Sequence, residues 1–368
     1  MGLRSLFRSR SFWLGLGVST IFIALFLFTV ELKEMGEALV SADYLYVVPA
    51  VLIYFVAVML RSMRWKYLLS PISEFTAVRL FPVVTVGYMA NNLLPARIGE
   101  VIRAYYLGRR ENFSTSTALA TIMVERVYDG LTLLLLAVVA VPFLMLSGLV
   151  NDSSNVSVLA WSFFGAAAVL VFIAAIILLT FLAVYPGAGP LLDRFTFLIP
   201  ARFRSRVGEY IDLFLEGLSV LRERRRHFGL IIMSLPVWLS EGAMYLLIAL
   251  SFDLGAFFEP PVLIVPVVLL VTTASNLGTA LPSAPGAIGT FEFPAVSALV
   301  LVGVAEGVAG AYAIMLHVAL LLPVTALGLL FLGVGNVSLR NLISGEDGHP
   351  PHYPLGQRLE RTQDEKRK

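Results

Sequence analysis

The chain has 368 residues, of which 58% are hydrophobic and only 14% are charged, and its formal net charge is +2. A soluble domain carries about 25% charged residues, so this composition excludes an ordinary globular domain and indicates a membrane protein. The chain contains no cysteine, which excludes disulfides, thiol catalysis and thiolate metal sites. Of the histidines only His317 falls in an apolar run, and we expect no metal site.

Six apolar segments are long enough to be full membrane spans, because about 20 apolar residues cross roughly 30 Å of hydrocarbon. They are residues 12–30, 44–60, 118–146, 158–185, 230–252 and 309–334. The first resembles a signal peptide, but it is too long and no small-residue cleavage site follows it, so we expect it to be retained.

Lysine and arginine collect on the cytoplasmic side of membrane proteins. They precede the first span, follow the second as Arg61, Arg64 and Lys66, and dominate the connection 186–229. We therefore predict a multi-pass protein of the cell (cytoplasmic) membrane with both termini in the cytoplasm. Within 186–229 helical spacing predicts either an amphipathic helix on the inner membrane surface or a solvated connecting helix. Residues 1–343 would form the transmembrane domain, and residues 344–368 a disordered cytoplasmic tail.

Two further apolar segments, 75–110 and 262–304, contain prolines, which remove a backbone donor and break a helix. Basic residues flank the first at both ends, and acidic outer loops flank the second. Each is therefore predicted to be a re-entrant hairpin, the first entered from the cytoplasm and the second from outside. Irregular backbone at membrane depth is tolerated where it lines a polar cavity.

The two breaks, "NNLLPARIGE" and "SNLGTALPSAPGAIGTFE", share Asn-Leu, Leu-Pro and Ile-Gly in the same order, about half the chain apart. Paired broken segments of this kind indicate an approximate inverted repeat, with the binding site where the breaks meet. The predicted fold is thus all-α, with about six full spans and two broken hairpins. The residues that create the breaks are Pro95, Gly99, Pro282, Pro285, Gly286 and Gly289.

Ionisable residues crowd the first break. Arg97, Glu100 and Arg103 are three apart, which predicts a carboxylate between two guanidiniums on one helix face. Each costs about 2.5–3.5 kcal/mol near mid-membrane, and arginine suits phosphate. The predicted substrate-binding residues are Asn91, Asn92, Arg97, Glu100, Arg103, Asn276 and Glu292. The alternative is that this cluster lies at the cytoplasmic interface and serves topology alone.

Four ionisable residues in the spans are candidates for proton coupling or for ion pairs. Glu125, Arg126 and Asp129 are spaced to form a structural ion pair, or to offer a carboxylate that takes up a proton. Glu241 stands alone in an apolar span, where burial favours its neutral form. It is predicted to carry protons or to hydrogen-bond a neighbouring helix, whereas His317 is expected to be an ordinary packed residue.

Enzyme motifs are absent: the sequence has no H-E-x-x-H, no G-x-S-x-G and no Walker A lysine loop. We expect no enzymatic activity, no cofactor and no nucleic-acid partner.

The motifs at residues 91–103 and 282–292, "NNLLPARIGEVIR" and "PSAPGAIGTFE", resemble those of the flippase-like membrane domain of lysylphosphatidylglycerol synthases and its stand-alone relatives. The resemblance covers almost the whole chain except the tail. It implies a domain that moves or presents aminoacylated or glycosyl-carrier lipids. In two-part relatives a soluble domain transfers the aminoacyl group, and the polar segments here are too short for one.

The expected function is therefore translocation of a phosphate-bearing lipid without an ATP motor, with membrane lipids as partners. Two alternatives stay open. The chain could be a secondary transporter of a small soluble anion, or a non-transporting accessory subunit of a lipid-modifying enzyme.

Overall fold

The computed structural model describes residues 10–95, 97–149, 158–185, 188–193 and 201–335. The predicted tail 344–368 lies outside these residues. Within them the regular structure is helical. The α-helices are α1 (Arg10–Thr29), α2 (Leu32–Ser41), α3 (Val47–Leu69), α4 (Ala77–Leu93), α5 (Gly99–Glu111), α6 (Thr115–Leu146), α7 (Val158–Val184), α8 (Ala188–Asp193), α9 (Ala201–Gly217), α10 (Arg224–Ser251), α11 (Ile264–Gly278), α12 (Glu292–Leu301) and α13 (Glu306–Val334).

Several of these helices are long and apolar enough to cross a membrane, and the protein is an all-α polytopic membrane protein. In the described residues they are Tyr44–Leu69, Thr115–Leu146, Arg224–Ser251, Pro261–Gly278 and Glu306–Val334. α1 and α2, which meet at an angle of 83°, would together add a sixth. The segment Pro261–Gly278 differs from the prediction, because it is long enough to span although the sequence places it in a hairpin.

Each predicted broken segment is a helix, a break and a second helix. Leu94 is extended (φ −121°, ψ 145°), as expected for a residue before proline, and it ends α4. α5 then packs antiparallel to α4, with Gly99 beside Asn91 and Arg103 beside Gly87. In the second break, Gly278 at the end of α11 lies against the backbone of Thr290.

The inverted repeat is a unit of long helix, hairpin and long helix, and it occurs as α3–α6 and again as α10–α13. α3 lies antiparallel to α10, because Arg61 contacts Glu241 while Tyr67, further along α3, contacts Gly229. Each hairpin then packs its first helix on the last helix of the other unit: α4 on α13, and α11 on α6. These reciprocal contacts bring the two breaks to the centre of the molecule, while α1, α2 and α7–α9 lie outside the repeat.

The arginine-rich connection contributes α9, which packs on α6. The hydroxyl of Thr117 donates to the carbonyl of Leu213 at 2.9 Å, and Gly217 approaches Thr117 and Ala120. The helix predicted in 186–229 is therefore docked on the protein rather than fully solvated.

Candidate functional site

A cavity of about 300 Å³ lies where the two hairpin breaks meet. Its wall combines both breaks with residues of α3–α7, α10, α11 and α13. Polar residues face it from each break, Arg97 from the first and Thr279 and Ser283 from the second. Apolar residues of α6 and α13, Leu133 and Leu320, complete part of the wall. The cavity is therefore amphiphilic, as ligand sites usually are.

Arg97 connects the two breaks. Its Nη2 donates to Oγ1 of Thr279 at 2.9 Å. Among the described residues no carboxylate lies within ion-pair distance of this guanidinium. Its backbone has a positive φ of 54°, a left-handed conformation that costs a residue with a Cβ about 1–2 kcal/mol. Strained residues of this kind cluster at functional sites, which makes Arg97 the leading candidate for contact with a ligand.

Behind the cavity wall, Glu125 is the centre of a buried ion-pair network. Its two carboxylate oxygens accept from Arg103 at 3.1 and 3.0 Å. Arg126 donates to it at 2.6 Å, and Arg64 lies 3.4 Å away. The guanidinium of Arg103 also stacks over Trp65, 3.8 Å from the ring centre. Arg103 is thus held by Glu125 and Trp65 and does not line the cavity, contrary to its predicted place in the binding site.

Asp129 extends this network to the cavity. It pairs with Arg64 at 2.7 Å and with Arg126 at 3.1 Å, and it accepts from the indole of Trp238 at 3.1 Å. Arg126 also reaches Glu100 at 3.7 Å. The predicted arrangement, with Glu100 between Arg97 and Arg103, is therefore wrong. The ion-pair partner of Glu100 is Arg126 on α6, not an arginine three residues away on the same helix.

Glu241 is not isolated, in contrast to the prediction. Arg61 donates to it at 2.6 Å, and the Arg61 guanidinium lies 4.9 Å from the ring of Trp238 and 5.7 Å from that of Tyr88.

Arg61 and Arg64 were predicted to lie on the cytoplasmic side of a span ending at residue 60. Instead α3 continues to Leu69 and buries both side chains among helices. The inverted repeat offered a signal for the Arg61–Glu241 contact. α3 and α10 are the corresponding first helices of the two units, so a buried charge on one is a candidate partner for a charge on the other.

On α13, His317 forms a pair with Glu292 at the start of α12. Its Nδ1 lies 2.6 Å from Oε1 of Glu292, and the ring stacks on Phe291 with centroids 4.4 Å apart. The second carboxylate oxygen accepts the backbone N–H of Gly289 at 2.7 Å. Glu292 thus holds the second break in shape from behind the wall. The sequence analysis expected His317 to be an ordinary packed residue, but its side chain lines the cavity.

Five of the seven predicted binding residues line the cavity: Asn91, Asn92, Arg97, Glu100 and Asn276. The amide nitrogen of Asn92 donates to the carbonyl of Leu321 at 3.3 Å and to Thr325 at 2.9 Å. The amide nitrogen of Asn276 donates to Tyr245 and to the carbonyl of Thr272, both at 2.9 Å. These bonds fix both amides, and among the described residues their side-chain oxygens have no protein partner.

This fold and site define a class of membrane protein in which two inverted helical hairpins meet at a charged internal cavity. The chain belongs to the family described as "Lysylphosphatidylglycerol synthase TM region", which it matches over residues 12–328.

Three relatives illustrate the family. The glycosyltransferase AglD of Haloferax volcanii is 28% identical over 301 residues, which cover 76% of this chain and 47% of AglD. The chain therefore spans about half the length of that relative. Two UPF0104 membrane proteins of Methanothermobacter thermautotrophicus are 25% and 26% identical over 75% and 80% of this chain, and the alignments cover 81% and 85% of their own lengths. No solved structure matches.

Proposed function

We propose that this protein translocates a phosphate-bearing lipid across the cell membrane, without enzymatic activity and without an ATP motor. The observation that carries the proposal is Arg97, a partly buried guanidinium at the junction of the two breaks with no carboxylate partner in the described residues. Arginine presents a planar fork of donors that matches phosphate oxygens. The family description names a phospholipid, which supports a lipid as the carrier of that phosphate.

An unpaired buried charge is costly, and natural proteins usually pair it or neutralise it. A phosphate next to Arg97 would provide that compensation. The headgroup would occupy the polar part of the cavity, and the acyl chains would stay in the lipid beside apolar wall residues such as Leu320 and Leu321. Hairpins entering from opposite faces would give the cavity access to each side in turn. The basic connection and the first arginines favour cytoplasmic termini.

The test is lipid movement in proteoliposomes, followed by the accessibility of an acyl-labelled fluorescent phospholipid to a reductant added outside. Arg97→Ala is expected to lower the rate at least tenfold, because the phosphate loses its cation. Arg79→Ala is the matched control, since its side chain is 65% exposed and only weakly paired with Glu111 at 4.0 Å. Normal lipid movement by folded Arg97→Ala protein would refute the proposal.

The lipid assay, combined with uptake of a radiolabelled solute and with co-purification, separates the two alternatives. A transporter of a small soluble anion would take up radiolabelled solute through Arg97 while leaving the lipid label protected. An accessory subunit would be inactive alone and would co-purify with a lipid-modifying enzyme.

A further inference from the structure

Among the arginines around the cavity in the described residues, one has no carboxylate partner. The cluster in the described residues comprises the arginines Arg61, Arg64, Arg97, Arg103 and Arg126 and the carboxylates Glu100, Glu125, Asp129 and Glu241. Each of the four carboxylates has an arginine within 3.7 Å. Arg97 is the arginine left over. Glu292, a further carboxylate near the cavity, meets no arginine in the described residues, and its two oxygens are held behind the wall by His317 and by the backbone N–H of Gly289.

This balance decides which ligand charges the cavity can accept. A phosphate would meet Arg97 without disturbing any existing pair. An ammonium group would have to compete with an arginine for each of these carboxylates. At Glu100, which is partly exposed, the competitor is Arg126 at 3.7 Å. At the buried pairs a displaced guanidinium would be left uncompensated.

Aromatic rings offer a second way to hold an ammonium group. Here Trp238 and Tyr88 already receive Arg61, and Phe291 is stacked on His317. Each of these three rings therefore has one face occupied by a neighbour, and Tyr54 and Phe172 are the other aromatic residues of the wall.

Apart from His317, the remaining polar groups of the wall are amides and hydroxyls. Asn92 and Asn276 have their amide nitrogens engaged by the protein and keep their side-chain oxygens as acceptors. The hydroxyl of Tyr88 is buried with no hydrogen-bond partner among the described residues, and Ser283 adds another hydroxyl. Acceptors and hydroxyls of this kind complement the hydroxyl groups of a sugar or polyol.

We propose that this cavity selects headgroups in which a phosphate is joined to an uncharged, hydroxyl-bearing group, and that it discriminates against headgroups carrying a free ammonium. The inference rests on the proposed function and names its substrate class. A soluble sugar phosphate has the same chemistry as such a lipid headgroup, so the experiment includes both.

The experiment compares three acyl-labelled lipids in proteoliposomes: phosphatidylinositol, phosphatidylglycerol and lysylphosphatidylglycerol. The first two are expected to move at least tenfold faster than the third. Arg97→Glu should reverse that preference, because it supplies a carboxylate without an arginine partner of its own, whereas Arg79→Glu should leave the preference unchanged. Equal or faster movement of the lysyl lipid in the wild type would overturn the selection.

Binding is measured separately from transport, by native mass spectrometry of the purified protein with dioctanoyl forms of the same lipids. If no lipid moves but phosphatidylinositol binds at least tenfold more tightly than the lysyl lipid, and Arg97→Gln removes the difference, the selection stands and lipid translocation falls. If lipids move but the lysyl lipid binds as tightly, translocation stands and the selection falls.

Soluble inositol 1-phosphate provides the last arm. Its binding and uptake with dependence on Arg97 would support the same selection with a soluble ligand. Binding of inositol 1-phosphate that is unchanged in Arg97→Gln would count against the proposed selection. Thermal unfolding of each variant confirms that the protein is folded.

Discussion

Glu125 offers the sharpest test of the buried network. Glu125→Gln keeps the shape of the side chain but removes a negative charge that three guanidiniums share. Arg64 and Arg126 would keep Asp129 as a partner, at 2.7 and 3.1 Å. Arg103 has no second carboxylate within the described residues, so the loss falls mainly on its two hydrogen bonds of 3.0 and 3.1 Å.

The expected cost follows from burial. Glu125 is 1% exposed, and removing one partner of a buried pair costs about 3–5 kcal/mol because the other charge is left uncompensated. Glu100→Gln is the matched control. The Glu100 side chain is 26% exposed and has one ion pair at 3.7 Å, so its loss should cost no more than about 1 kcal/mol.

The assay is reversible unfolding of the purified protein in mixed micelles, with tryptophan fluorescence as the probe. Glu125→Gln should lower the free energy of unfolding at least three times as much as Glu100→Gln, in line with the magnitudes for buried and exposed pairs. Equal effects of the two substitutions would show that Glu125 is not a buried partner of Arg103, Arg126 and Arg64. The assignment of carboxylates to arginines around the cavity would then be wrong.

Three further predictions use the same preparations. Gly99→Ala should destabilise the protein by at least about 1–3 kcal/mol, because its Cβ would lie 2.2 Å from the carbonyl oxygen of Gly87. Gly36→Ala, in the interior of α2 with open space around it, should leave the stability unchanged or raise it slightly, and similar unfolding curves for the two variants would contradict the hairpin packing. Arg103→Lys should cost about 1.5–3 kcal/mol, since lysine lacks the two-pronged contact; wild-type stability would refute this. His317→Ala should slow lipid movement more than His317→Gln, which can still bond Glu292; equal rates would exclude a role for that bond.

The sequence by itself determined the class of protein and the position of its breaks. Long apolar runs need a membrane. The breaks fall where proline is combined with glycine and polar residues, around Pro95 and Pro282, whereas Pro82, Pro142, Pro236 and Pro323 lie inside continuous helices. These properties are local or compositional, so they can be read without knowing which helices are neighbours.

Only the tertiary structure decided which charges meet. Arg61 and Glu241 are 180 residues apart, and their pairing depends on α3 crossing α10. Spacing along α5 predicted that Glu100 would lie between Arg97 and Arg103, yet Glu100 and Arg103 find partners on α6 and Arg97 reaches Thr279 in the second break. A buried charge is stabilised by the nearest opposite charge in space. Helix packing sets that distance, and so it was packing that left Arg97 as the cation without a carboxylate.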